Sequence, residues 1–106
     1  MNVERGAFPT PPDSVFVRII NDTYFDARVR AVYEGGLRYP MGTIGGNRTK
    51  GEISIPWQPR SLAFEIQLVI GPGTFYSQEV TVVAGDLVEL RLPPNIESSG
   101  LFRRRR

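Results

Sequence analysis

Apolar and polar residues alternate along most of this chain with the period of two that marks a strand with one buried face. Leu62, Phe64, Ile66, Leu68 and Ile70 fall on one side, with Ala63, Glu65, Gln67 and Val69 between them. Ala27, Val29, Ala31 and Tyr33 line up against Arg28 and Arg30, and Val88, Leu90 and Leu92 against Glu89 and Arg91. Val15–Ile20, Leu37–Thr43, Gly51–Ile55 and Phe75–Val83 complete a set of seven predicted strands. Nowhere does an i, i+3, i+4, i+7 stripe persist for three turns, so no substantial helix is expected.

Turn chemistry separates these runs. Asn21-Asp22, Glu34-Gly35-Gly36, Gly45-Gly46-Asn47, Gly71-Pro72-Gly73 and Ala84-Gly85-Asp86 all fall between apolar segments. Short loops favour antiparallel neighbours, because parallel strands need long crossovers. The expected fold is all-β, an antiparallel β-sandwich of about seven strands, Ig-like or transthyretin-like in shape. A small closed barrel is the alternative. The sandwich should span residues 15–92. Residues 1–14, with Pro9, Pro11 and Pro12, read as an extended proline-rich arm, and residues 93–106 as an extended tail ending in Arg103-Arg104-Arg105-Arg106.

Composition narrows the chemistry. With 106 residues there is room for one domain. The absence of cysteine and histidine excludes a disulfide framework, Ser-His-Asp and Cys-His catalysis and the usual zinc ligands. Glu65 and Glu89 sit at polar strand positions, where a solvated side chain is expected. Asn21, Asp22 and Asp26 lack the spacing of a calcium loop and read as turn formers. The glycine-rich run from Gly42 to Lys50 is not closed by Gly-Lys-Ser/Thr, and a strand-like segment follows it, so it reads as a hairpin loop. No enzymatic activity and no cofactor or metal is expected.

Contacts are the remaining candidates. Net charge is +2; without the four terminal arginines it would be −2, so a basic tail follows a mildly acidic body. Four arginines at an anionic leaflet gain about 4 kcal/mol, a dissociation constant of about 1 mM, to which Leu101 and Phe102 add about 2 kcal/mol by insertion. Nucleic acid is an unlikely partner, since no aromatic–basic stripe accompanies the tail. Arg28 and Arg30 share one strand face about 7 Å apart, a spacing suited to two carboxylates. Trp57, bracketed by Pro56 and Pro59, either caps an end of the sandwich or anchors an interface. Phe8, Pro9, Pro11 and Pro12 supply contacts from the N-terminal arm. The N-terminus lacks a basic n-region and an apolar h-region, and the expected location is cytoplasmic, peripheral to a membrane, with the periplasmic face as the alternative.

One resemblance adds to this. An opening strand ending in Asn21, an arginine-bearing strand from Arg28 followed by Gly35-Gly36, the step Met41-Gly42-Thr43, and Ser77-Gln78-Glu79-Val80 leading to Gly85-Asp86 make residues 15–92 resemble small bacterial β-sandwich domains common in lipoproteins. The chain has no cysteine to acylate, which departs from that pattern. In size, fold type and terminal arms it is similar to the membrane-extrinsic polypeptides that brace the reaction centre and light-harvesting ring of photosynthetic Gemmatimonadota. The resemblance implies a non-catalytic subunit docked on a membrane-bound protein assembly, with anionic lipid headgroups as a further contact for the tail. A small-molecule carrier with a pocket between its sheets is the alternative.

Overall fold

In the computed structural model, which describes residues 2–5, 13–71 and 73–104, the alternating segments form two packed sheets. Nine strands run in chain order: β1 (Asn2–Glu4), β2 (Ser14–Asn21), β3 (Ala27–Tyr33), β4 (Arg38–Ile44), β5 (Thr49–Pro56), β6 (Leu62–Leu68), β7 (Thr74–Ser77), β8 (Leu87–Leu92) and β9 (Phe102–Arg104). One sheet has the order β1-β8-β2-β5 and the other β4-β3-β6-β7-β9. A single 3-10 turn, Ile96–Ser98, is the helical element among the described residues. The all-β sandwich is therefore observed, with nine strands in place of seven.

Alternation works as expected inside. Val15, Val17 and Ile19 of β2, Ala27, Val29 and Ala31 of β3, Phe64 and Ile66 of β6, Phe75 of β7 and Val88, Leu90 and Leu92 of β8 form one apolar cluster between the sheets. Burying branched and aromatic side chains is the main stabilisation of such a fold, about 1.5–3 kcal/mol for each.

Three departures have identifiable physical causes. The described parts of both terminal segments are strands: β1 pairs antiparallel with β8, and β9 pairs antiparallel with β7. Three-residue runs are too short for a periodicity to register, and only a neighbouring strand supplies their hydrogen bonds. Second, β2 and β8 run parallel, with Val17 opposite Val88 and Ile19 opposite Leu90. The short-loop rule governs consecutive strands, and this pair is separated in the chain by β3 to β7. Third, Phe75–Val83 is not one strand. β7 stops at Ser77, and Val80 makes an isolated bridge to Leu62.

β4 contains a bulge opposite the Val29/Arg30 step of β3, so that Gly42 faces Val29 while Pro40 faces Arg30. The extra residue is Met41, which is buried. A bulge shifts side-chain parity by one. Here it turns both Met41 and Ile44 inward while Arg38 and Pro40 face out.

At one end of the sandwich two loops interlock. Asn21 is fully buried and donates its amide to the carbonyls of Phe25 (2.8 Å) and Ile44 (3.1 Å), while its Oδ1 accepts from the amide and hydroxyl of Thr23. A Cβ on Gly46 would lie 2.9 Å from the backbone of Tyr24 and Phe25, so the absent side chain is what lets the β4–β5 loop close on the β2–β3 loop. The expected turn-forming role of Asn21 is thus observed.

Candidate interaction surface

The outer face of the five-stranded sheet gathers several of the residues singled out above. Directly opposed residues in a ladder share a face. Register pairs Arg103 with Tyr76, Tyr76 with Glu65, Glu65 with Arg30 and Arg30 with Pro40. One row thus crosses all five strands. A second row contains Thr74, Gln67, Arg28 and Thr43, and a third Ala63, Val32 and Arg38.

Four arginines (Arg28, Arg30, Arg38 and Arg103) therefore share this face with one carboxylate. That carboxylate is withdrawn from solvent: Glu65 is 2% exposed, which corrects the expectation of a solvated strand residue. Its Oε1 accepts from Arg30 at 3.0 Å and its Oε2 from Arg38 at 2.8 Å. The Tyr76 hydroxyl donates to Oε2 at 2.8 Å. Burial pushes the Glu65 carboxyl up, but the Tyr76 and Arg30 hydrogen bonds and the Arg38 and Arg30 charges outweigh it. The net effect is a pKa below the ordinary glutamate value.

Arg30 and Arg38 keep 39% and 45% of their side chains exposed. Each guanidinium has five N–H donors, so bonding to Glu65 fixes two forks without using up their donors. Arg28 and Arg103 are exposed on the same face. Of the Arg28–Arg30 pair whose spacing suits two carboxylates, Arg30 is already paired with Glu65 within the chain.

The opposite face of the sandwich is balanced. There the row Asn2–Glu89–Arg18–Glu52 sets Arg18 between carboxylates, with its Nε 2.9 Å from Glu52 Oε1. Excess positive charge belongs to the five-stranded sheet.

Other expected contact residues are placed differently. Trp57 is half-buried, packs against the core and donates its indole N–H to the Val82 carbonyl at 3.0 Å. These contacts hold it against an end of the sandwich. Phe102 lies opposite Ser77, on the inward side, and packs on the core, whereas Leu101 is exposed. Arg104 approaches Glu97 at 3.9 Å. Phe8, Pro9, Pro11, Pro12, Arg105 and Arg106 lie outside the described residues. Arg5 is exposed and donates to Oδ2 of the fully buried Asp86, which also accepts from the Val83 amide at 2.9 Å. That ion pair fastens the segment after β1 to the turn before β8.

Sequence reading missed Arg38 and Tyr76. Arg38 needs the Met41 bulge to face outward, and Tyr76 needs the β6–β7 register to meet Glu65. Alternation alone places Glu65 and Arg30 on outer faces, but not on the same one.

Two of the clefts among the described residues are peripheral. One of about 360 Å³ lies among Asp22, Tyr24, Asn47, Arg48 and Pro94. Another of about 250 Å³ is lined by Asn2, Glu89, Arg91, Pro93 and Leu101, at the edge where β1 and the approach to β9 come together. A smaller cleft of about 50 Å³ opens between the margins of the two sheets, among Ser77, Gln78, Leu90, Arg91, Leu101 and Phe102. Among the described residues no cluster of three acidic side chains is arranged to hold a metal, and no helix is long and apolar enough to cross a membrane.

The fold defines a class, a two-sheet β-sandwich with one basic outer face. No family model matches the sequence, and no match is found among curated proteins. An NMR structure of a protein from Eubacterium rectale is similar over 76% of this chain and 78% of that one, with a TM-score of 0.52 at 15% identity. At that identity the likeness is one of fold.

Proposed function

We propose that this chain is a non-catalytic interaction module that docks peripherally on a larger, membrane-bound assembly through the outer face of its five-stranded sheet. The observation that supports this reading is the grouping of Arg28, Arg30, Arg38 and Arg103 on one face whose sole carboxylate, Glu65, is buried beneath them. Such a face attracts an anionic surface and speeds its encounter. The resemblance to extrinsic subunits of photosynthetic reaction centre–antenna complexes names one assembly of this kind.

The test is retention on native membranes of the source organism. The intact protein should co-sediment with the membranes and bring its assembly down when cross-linked. Arg28→Glu with Arg103→Glu should release most of it at moderate salt without changing its circular dichroism. Full retention of the doubly substituted protein would refute the reading.

A further inference from the structure

The arginines of the outer face are dispersed. Arg38 lies on β4, Arg28 and Arg30 on β3, and Arg103 on β9, so they span the sheet from one margin to the other, about 20 Å at ordinary strand spacing. A single small anion needs donors that converge on a point. A spread of positive charge over a broad sheet face matches a broad anionic surface instead.

The hairpin at the end of the same sheet has a second unusual feature. Ile70, in the β6–β7 turn, is 96% exposed and has φ of 56°, a left-handed conformation that β-branched residues avoid. Glycine or asparagine fits this position without strain, and a polar residue would suit water better. Neither folding nor solubility accounts for isoleucine here. Tyr24, 77% exposed, stands on the adjoining β2–β3 loop, which is joined to this turn by the Val69 N–H donating to the Asp26 carbonyl at 2.8 Å. The Phe25 ring lies close beneath Gly71, so the two tips form one packed unit. An exposed aliphatic side chain and an exposed tyrosine at the same end of the sandwich are of the kinds that settle at the boundary between headgroups and acyl chains.

We infer that the basic sheet face, with the Ile70–Tyr24 loop end as its apolar adjunct, binds the anionic phospholipid headgroups of a bilayer. This rests on the reading above and names the surface that face meets. The arginines supply attraction, at about a fivefold gain in affinity per charge, and Ile70 supplies insertion.

The experiment uses the full chain and sedimentation with vesicles of phosphatidylcholine, alone or with about 30% phosphatidylglycerol, at about 0.1 M salt. Binding is expected to the anionic vesicles, to weaken about fivefold in Arg28→Gln, and to fall about tenfold in Ile70→Asn. Ile70→Asn relieves backbone strain, so its loss of binding does not come from unfolding. Arg28 lies on β3, away from the tail; unchanged binding of Arg28→Gln would assign the affinity to the tail and overturn the inference for the face. Absence of vesicle binding, with membrane retention still sensitive to Arg28→Glu and Arg103→Glu, would overturn the lipid inference and leave a protein partner for the same face. Loss of both effects would overturn this inference and the proposed function together.

Discussion

Arg103 stands directly opposite Tyr76 in the β7–β9 ladder. That one pairing changes the meaning of the C-terminal arginines. The first of them belongs to the outer face of a sheet, in the same row as Glu65 and Arg30, and it adds to the charge already gathered there. Phe102, one residue earlier, turns the other way and packs on the core. A strand of three residues thus holds an arginine on the basic face by burying its neighbour.

Acid should weaken the Glu65 centre. A carboxyl with a folded pKa below its unfolded value of about 4.3 stabilises the protein above that value, and the contribution disappears as pH falls through the folded pKa. Glu65→Gln keeps an acceptor for Tyr76 and loses the charge, at a cost of about 1–2 kcal/mol near neutrality. Urea denaturation of both proteins from about pH 6 to about pH 3 should show the difference shrinking with acidity. A gap that stays constant across that range would contradict the assignment.

Removing the Arg5 side chain should be felt at Asp86. Asp86 is fully buried, and among the described residues its Oδ1 has no hydrogen-bond partner, so Oδ2 is the atom through which its charge is compensated. Among the described residues, Arg5→Ala leaves that charge with the Val83 amide as its remaining donor. A loss of about 2–3 kcal/mol is expected, with faster hydrogen exchange in β1 and at the β1-facing edge of β8. Equal stability in Arg5→Ala and the wild type would show that the ion pair does not fasten this segment.

Gly46→Ala tests the interlocked loops. The new Cβ would meet backbone atoms of Tyr24 and Phe25 at 2.9 Å, and backbone cannot step aside as a flexible side chain can. Overpacking of this sort costs about 1–3 kcal/mol, visible as a fall of several degrees in thermal midpoint. An unshifted midpoint would mean that the two loops separate easily.

Ile70→Asn should have the opposite sign. Asparagine tolerates the left-handed region that isoleucine resists, and relief of about 1 kcal/mol is expected. Calorimetry should record a higher melting temperature. A lower one would show that the isoleucine contributes packing that its exposure conceals.

In the core of this chain, which holds neither cysteine nor histidine, local rules carried far. Alternation in Leu62–Leu68, Ala27–Tyr33 and Leu87–Leu92 and the turn residues between them set strand identity, the inward side of each strand and the two-sheet class, because both signals act over a few residues. What sits beside what is a different matter. Whether Glu65 faces water or two guanidiniums depends on the register of β6 against β3 and on a bulge at Met41. Whether residues 2–4 and 102–104 are strands depends on the free edges of β8 and β7. Those relations join positions tens of residues apart, so tertiary packing decided them. The sequence alone displayed the arginines; the fold placed four of them on one face and withdrew their only carboxylate from water.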